Sequence, residues 1–167
     1  EKYKDEKLLL VGFAETATAI GAQAAITVGA DYIQTTREVI PGVNYLFFSE
    51  EHSHATEQKL VKDDIDRAVA ETDRIIFIED EVTTGKTIRN IISILDREYD
   101  GKFKYSVASL LNGMSEDNLE RYKRQGISWM IHSKHHIRLH LQQPSSLRLP
   151  HLFWWTSQRL PALYLLL

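Results

Sequence analysis

The sequence predicts an α/β protein with a doubly wound, mostly parallel β-sheet that carries helices on both faces. Two observations predict this fold class. Short apolar runs recur along the first 131 residues, and segments with helical periodicity separate them. The runs at 8–11 and 75–78 are apolar at consecutive positions, which is typical of strands buried on both faces. Strands that alternate with helices indicate a parallel sheet whose crossover helices cover it.

Turn and cap residues divide the first half of the chain. Gly29 stands where the C-cap of an alanine-rich helix is expected, and Pro41-Gly42 predicts a turn between two strands. A mixed charged and apolar pattern further on is typical of a surface helix. The predicted elements are, in order, a strand at 8–11, a helix at 16–28, strands at 31–35 and 43–48, and a helix at 62–70.

The second half has clearer periodicity. Isoleucines and a leucine recur at helical spacing between Lys86 and Glu98, and Asp100-Gly101 follows as a helix end. Ser115 is a good N-cap for the next helix, and Gly126 a good residue to close it. The predicted elements are a strand at 74–78, a helix at 86–98, a strand at 105–111, a helix from 115 to about 124, and a strand at 127–131.

Length and composition narrow the class of protein. A chain of 167 residues, 43% of them hydrophobic, is enough for one domain with a sizeable core. It contains no cysteine, which excludes disulfides, thiolate metal sites and a cysteine nucleophile. No apolar run approaches the ~18 residues that span a bilayer, and the charged opening lacks the apolar stretch of a signal peptide. We therefore expect a soluble, cytoplasmic protein with no membrane partner.

The charge is unevenly divided. All 23 acidic residues lie before residue 121, and the last 36 residues carry four lysines and arginines and five of the seven histidines, so the net charge is −7 over 1–131 and +4 beyond. A basic tail of this kind can contact nucleic acid or a membrane surface, or it can differ in origin from the rest of the chain. Four cations over 36 residues attract nucleic acid only weakly, so we expect no nucleic-acid partner. Prolines interrupt every candidate element there, and surface positions suit its histidines better than metal ligation. We expect a domain at 8–131 and, at 132–167, an irregular tail that is disordered or a truncated or misread C-terminal region.

The stretch 75–87 carries the strongest chemical signal. An apolar strand leads into Glu79 and Asp80, and a loop of small and hydroxyl residues then opens a helix. Backbone N–H groups and the positive dipole end at a helix start suit a phosphate, whereas two carboxylates suit sugar hydroxyls or a divalent cation. A phosphorylated sugar meets both requirements. The simpler interpretation is a strand, an acidic turn and a helix cap; a nucleotide-binding P-loop is disfavoured because Asp80 stands where that motif has glycine.

This stretch resembles the signature of the type I phosphoribosyltransferases, which has four apolar residues, two acids and a Thr/Ser-Gly-x-Thr loop. The resemblance implies that the acids contact ribose hydroxyls and that the loop wraps the 5′-phosphate of phosphoribosyl pyrophosphate. It also implies a magnesium cofactor, for which Asp80 is the candidate ligand. The residues that it assigns to phosphoribosyl pyrophosphate are Glu79, Asp80, Thr83, Thr84, Gly85, Lys86 and Thr87.

Three further segments, 11–19, 35–37 and 50–56, resemble a phosphoribosyltransferase-like family found in bacterial tellurium-resistance gene clusters. Together with the signature, the resemblance covers roughly residues 8–131. In type I enzymes the loop after the first core strand binds pyrophosphate, which implies that role for Ala14, Glu15 and Thr16. Arg37 can pair with pyrophosphate through its planar fork or with a surface carboxylate, and the sequence leaves both open.

The chain departs from the family pattern at two places. Glu15 places an anion in the loop that would face pyrophosphate, so a magnesium ion or a changed ligand is needed there. The segment 50–54 has acids and histidines where the family's mobile loop has basic residues. His52 and His54 would share one face of a strand and, with Glu51, are candidates to move a proton or bind a metal; a solvated polar loop is the alternative.

The resemblance implies an enzyme in which a nucleophile displaces pyrophosphate at the anomeric carbon of phosphoribosyl pyrophosphate. A non-catalytic sensor of a phosphoribosyl metabolite is the alternative. The family selects its acceptor with a variable hood, and only seven residues precede the first predicted strand. We therefore expect native residues ahead of Glu1, and we expect a homodimer.

Overall fold

The computed structural model describes residues 2–48 and 58–133. The elements alternate as the sequence predicts, with one additional strand. In chain order they are β1 (Leu8–Gly12), α1 (Thr18–Val28), β2 (Asp31–Thr36), β3 (Tyr45–Phe48), β4 (Gln58–Val61), α2 (Lys62–Ala68), β5 (Arg74–Val82), α3 (Lys86–Glu98), β6 (Lys104–Asn112), α4 (Glu116–Arg124) and β7 (Ser128–Ser133).

The strands form one mixed sheet in the order β3-β4-β2-β1-β5-β6-β7. β2, β1, β5, β6 and β7 are parallel to one another, and β4 runs antiparallel to both β2 and β3. The central pair is in register from Leu8 opposite Arg74 to Gly12 opposite Ile78. The predicted fold class, a mostly parallel sheet with helices on both faces, is therefore confirmed.

Apolar side chains fill both faces of the sheet. The larger core lies under α2, α3 and α4 and includes Val11, Phe77 and Leu95, none of which is exposed to solvent. The smaller core lies on the opposite face, where Ala24 and Ala25 of α1 pack with Leu10 and other strand residues. Small alanines bring α1 close to the sheet, which matters for the loop that precedes it. No helix within the described ranges is long and apolar enough to be a membrane span.

Several predicted boundaries differ from those observed. β5 continues past Ile78 through the acidic residues to Val82, because its pairing with β6 extends to Asn112. α1 begins at Thr18 rather than at residue 16, since residues 14–17 form a turn. β4 was not predicted, because four residues directly joined to a helix give no period to recognise. β7 runs to Ser133, and the predicted tail beyond it lies outside the described residues.

The segment ahead of β1 packs against the amino-terminal end of β5, where it contacts the buried side chain of Arg74. Arg74, at the start of β5, donates from its guanidinium to both carboxylate oxygens of Glu6 and to the Ser106 hydroxyl, and it lies 4.2 Å from the centre of the Tyr3 ring. Lys104 also donates to Glu6, at 2.9 Å. These contacts, from Arg74 first and Lys104 second, lower the pKa of Glu6 from 4.5 to about 2.

Replacing Glu6 with glutamine is expected to lower the free energy of unfolding at pH 7 by about 2 kcal/mol, because it leaves a buried cation without its counter-ion. Since the folded state holds the lower pKa, the wild-type advantage is present above pH 4.5 and is lost as the pH falls towards 2. Urea unfolding of both proteins from pH 7 to pH 2.5 measures it. Glu71→Gln, in an exposed pair with Lys7, is the matched control; a constant difference across this range would contradict the assignment.

Candidate functional site

The sheet order places a crevice at the carboxyl ends of β1 and β5. β1 lies between β2 and β5; the chain leaves β1 into α1 on one face of the sheet and leaves β5 into α3 on the other. The two connecting loops therefore diverge from adjacent strands. In open α/β sheets such a reversal point is where ligands bind. We call residues 13–17 the first loop and residues 83–85 the second loop.

A closed ring of three hydrogen bonds holds the first loop. The Ala14 N–H donates to the Thr35 hydroxyl oxygen at 2.8 Å, the Thr35 hydroxyl donates to the Gln58 side-chain oxygen at 2.7 Å, and the Gln58 amide donates to the Ala14 carbonyl at 2.9 Å. Thr35 and Gln58 are fully buried. Because two neighbouring strands supply these groups, the loop is fixed to the sheet at both the N–H and the C=O of Ala14.

The rest of the first loop bonds to itself and to β5. The Phe13 N–H donates to the Ile78 carbonyl at 3.1 Å, which extends the pairing of β1 with β5 by one residue. The Glu15 carbonyl accepts from the Thr18 hydroxyl at 2.8 Å, and the peptide bond between Ala14 and Glu15 is cis. The side chains of Glu15 and Thr16 are exposed. Their exposure leaves both available to a ligand in the crevice.

Two glycines let α1 approach β1 closely. A Cβ at Gly12 would lie 2.5 Å from the hydroxyl oxygen of Tyr32, and one at Gly21 would lie 2.8 Å from the same ring. The Tyr32 hydroxyl donates to the Thr18 carbonyl at 2.8 Å, which ties β2 to the start of α1. Only glycine leaves room for this ring, so the two glycines position the helix that follows the first loop.

The second loop leads directly into α3, whose N-cap is Gly85. Gly85 adopts φ 67°, a left-handed conformation that glycine favours, and the Lys86 N–H donates to the Thr84 hydroxyl oxygen at 3.3 Å. The first intrahelical bond joins the Arg89 N–H to the Gly85 carbonyl, so the N–H groups before Arg89 have no acceptor inside the helix. The first turn of α3 carries no acid. Its positive dipole end therefore favours an anion.

Tyr122 of α4 anchors the second loop through a hydrogen bond. Its hydroxyl donates to the Gly85 carbonyl at 2.6 Å, and the side chain is 1% exposed. Burial raises the pKa of this hydroxyl, so it stays protonated and remains a donor. A Cβ at Gly85 would collide with the Tyr122 hydroxyl and ring. Glycine is thus required here by both backbone conformation and space.

Glu79 and Asp80 lie half-buried near the end of β5, and two residues separate Asp80 from the second loop. The Asp80 N–H donates to the Glu79 carboxylate at 3.3 Å. Among residues 2–48 and 58–133 there is no group of three or more His, Asp or Glu side chains placed to hold a metal. Magnesium is usually held by one or two carboxylates together with substrate phosphates. The pair therefore fits a magnesium ion that arrives with a phosphorylated ligand.

The structure brings most of the predicted site residues to one edge of the sheet. Arg37, half-buried, directly follows β2, and its carbonyl accepts from the Lys59 ammonium at 3.0 Å. Glu51, His52 and His54 lie outside the described residues. The sequence did not reveal Gln58 or Tyr122. A buried tyrosine hydroxyl needs a partner, which was a signal for Tyr122; Gln58 lay in the strand that was missed and gave none.

Comparison with known protein families gives one result. A family model described as phosphoribosyl transferase matches residues 1–139. This range contains all the described residues. No curated protein matches the chain.

Solved structures of adenine phosphoribosyltransferases share the fold. The Rhodothermus marinus protein is 17% identical, with 75% of this chain and 68% of that chain covered and a TM-score of 0.51. The Saccharomyces cerevisiae protein, solved with an imino-altritol bisphosphate and adenine, is 11% identical, with 75% and 67% covered and a TM-score of 0.51. The Giardia lamblia protein, solved with 9-deazaadenine, is 18% identical, with 78% and 72% covered and a TM-score of 0.53.

Replacing Gln58 with alanine opens the hydrogen-bonded ring and leaves the Ala14 carbonyl and the Thr35 hydroxyl without their partner. We expect a loss of about 1–3 kcal/mol in the free energy of unfolding and faster exchange of the Ala14 amide. Urea unfolding and hydrogen exchange measure the two effects. Gln23→Ala, on the exposed side of α1, is the control; equal effects of the two changes would show that the ring does not fix the first loop.

Replacing Gly85 with alanine is expected to be more damaging than replacing Gly126. Both glycines have positive φ, at 67° and 69°, but only Gly85 would place a Cβ against a side chain. Gly126→Ala should cost about 1 kcal/mol from backbone strain, and Gly85→Ala a further 1–3 kcal/mol or so from the collision with Tyr122. Thermal and urea unfolding measure both; the same loss at the two positions would rule out a close fit of Tyr122 beneath the second loop.

Proposed function

Because the chain belongs to the phosphoribosyl transferase family, we propose that it binds phosphoribosyl pyrophosphate and transfers the phosphoribosyl group with release of pyrophosphate. In this reaction the bond between the anomeric carbon and the pyrophosphate oxygen breaks, and a bond from that carbon to an incoming nucleophile forms. The transition state resembles an oxocarbenium ion. The protein's contribution is to position the sugar and to stabilise the charges that develop.

The observation that carries this proposal is the pair of anchored loops that diverge from adjacent strands at the carboxyl ends of β1 and β5, where such sheets bind ligands. The second loop and the start of α3, residues 83–87, would hold the 5′-phosphate through backbone N–H groups and threonine hydroxyls. Glu79 and Asp80, near the end of the strand that leads into that loop, would hold the ribose hydroxyls. Ala14, Glu15 and Thr16 of the first loop, with Arg37 at the end of β2, would face the pyrophosphate.

Magnesium is part of the proposal. Asp80 is the candidate ligand, and with Glu79 it would supply the one or two carboxylates that such an ion takes beside phosphate oxygens. When bound, the ion neutralises negative charge on the departing pyrophosphate. The exposed Glu15 adds a further negative charge at the proposed pyrophosphate site. Binding of the donor should therefore depend on the cation. His52, His54 and Glu51 remain our candidates to move a proton.

A second candidate function is a sensor that binds a phosphoribosyl metabolite without turnover. The exposed carboxylate of Glu15 in the first loop favours it, because it opposes the approach of pyrophosphate. Pyrophosphate release with a panel of nucleobase-like acceptors separates the two functions. Binding of the donor without release of pyrophosphate would support the sensor.

The setting of this activity is also part of the proposal. We infer that the chain is related to the phosphoribosyltransferase-like proteins of tellurium-resistance clusters, because the segments 11–19, 35–37 and 50–56 resemble theirs. We further propose a homodimer that acts in the cytoplasm. Light scattering of the purified protein tests the dimer: the mass of one chain in solution would contradict it.

Replacing Glu79 with glutamine and Asp80 with asparagine together is expected to weaken binding of phosphoribosyl pyrophosphate with magnesium by tenfold or more and to abolish pyrophosphate release. The reason is the loss of two charged contacts to ribose and cation. Isothermal titration and a pyrophosphate assay measure the two effects. Glu81→Gln, exposed on the same strand, is the matched control and should leave both unchanged. No binding of the donor by the wild-type protein would sink the proposal.

A further inference from the structure

A polar groove lies between α3 and α4, and none of the first-loop residues 13–17 lines it. Its volume is about 560 Å³, which is within the usual range for small-molecule sites. Gly85 connects the two helices, because its carbonyl accepts from both the Arg89 N–H and the Tyr122 hydroxyl. The lining residues are Thr84, Lys86, Arg89, Asn90 and Ser93 from one wall, and Asn118, Arg121 and Gln125 from the other.

The spacing of these residues explains why they share one groove. On α3, Lys86, Asn90 and Ser93 are three or four residues apart and so lie on one side of the helix. On α4, Asn118, Arg121 and Gln125 are spaced in the same way. The core faces of both helices point elsewhere, since Ile88, Ile91 and Leu95 of α3 and Tyr122 of α4 are buried. The groove is thus built from two helix faces that packing of the core does not use.

The groove is strongly cationic. Lys86, Arg89 and Arg121 line it, and no carboxylate does. Within the described residues, neither Arg89 nor Arg121 belongs to an ion pair. The nearby acid Glu120 is instead paired with Arg124, outside the groove. Two arginine side chains with planar donor groups therefore face a space that contains no counter-ion from this part of the chain.

Arg89 supplies an independent observation. Its Nε atom is shielded from solvent and has no hydrogen-bond acceptor among the described residues. Its charge also lies close enough to Tyr122 to oppose the rise that burial causes in the pKa of that hydroxyl. A buried N–H donor without an acceptor destabilises the protein, unless a bound ligand supplies the missing acceptor. Arg89 is the residue of the groove that most needs an anion.

We propose that the groove between α3 and α4 binds a small polyphosphate anion at a second site, which adjoins the sugar-phosphate crevice. Three separated cations match several phosphoryl groups better than one. The lining contains no aromatic or aliphatic side chain on which a nucleobase would stack. The groove therefore recognises the phosphate chain, whether it is inorganic or part of a nucleotide, and it shares only Thr84 and Lys86 with the loop and helix start proposed to hold the 5′-phosphate.

Titration of the full chain with inorganic triphosphate, without magnesium, tests this site. In ¹⁵N–¹H spectra we expect the amides of Ser93, Asn118, Arg121 and Gln125 to shift. Arg121→Gln should weaken binding about tenfold, as for the loss of one charged hydrogen bond. Ser93→Asp, which adds a carboxylate at an exposed position in the groove, should weaken it at least as much. Arg97→Gln, exposed on α3 but outside the lining, is the matched control and should bind as the wild type does.

Comparison of ligands distinguishes the source of the phosphates. Inorganic triphosphate and adenosine triphosphate should bind within about threefold of each other, because the lining has no aromatic side chain for the base and its arginines pair with the phosphates. Orthophosphate should bind more weakly. A marked preference for the nucleotide would contradict the proposed recognition of the phosphate chain. Unchanged binding by Arg121→Gln, or shifts confined to residues 12–18 and 83–88, would overturn the site itself.

The test separates this inference from the proposed function. The Glu79→Gln, Asp80→Asn protein should lose phosphoribosyl pyrophosphate but still bind triphosphate in the groove. If triphosphate shifts the groove amides of a wild-type protein that does not bind phosphoribosyl pyrophosphate, the groove is upheld and the proposed function is contradicted. Normal binding of phosphoribosyl pyrophosphate, with no shift of the α4 amides when triphosphate is added, would uphold the proposed function and defeat the groove.

Discussion

The pairing of β1 with β5 is the contact on which the rest of the structure depends. Leu9, Val11, Ile75 and Phe77 on these strands are wholly buried, and the backbone pairing runs to Gly12 opposite Ile78. Because the following helices depart to opposite faces, two loops emerge side by side and then separate. The crevice between them follows from the order of the strands and needs no special sequence of its own. What the sequence adds at this place is the chemistry of its lining.

Each loop is held by buried polar groups from distant parts of the chain. Thr35 and Gln58 hold the first loop from the neighbouring strands, and Tyr122 holds the second from α4. Buried polar groups of this kind are stable only when each has a partner, so the loop and its supports fix each other. The N–H groups of Thr87 and Ile88, in the first turn of α3, have no acceptor inside the helix. A loop that must bind an anion reproducibly benefits from such an arrangement, since little has to be ordered on binding.

Much of this could be predicted from local sequence patterns, and the remainder could not. Helix α3 has the predicted bounds of residues 86–98, because buried isoleucines recur at helical spacing and Gly85 precedes them. The C-cap at Gly29 and the N-cap at Ser115 were local signals of the same kind, and both are confirmed. β4 is four residues long and is stabilised by pairing with β2 and β3, which no local pattern records. The contacts of Gln58 and Tyr122 with the loops span 44 and 37 residues, so their role emerges only from the fold.

The central claim is that the crevice between the two loops holds a ribose phosphate. A crystal structure of the protein with ribose 5-phosphate and magnesium tests it most directly. The account predicts the phosphate within hydrogen-bond distance of the N–H groups of residues 84–87 and the ribose hydroxyls against Glu79 and Asp80. A sugar phosphate bound in any other place, with these residues untouched, would contradict it.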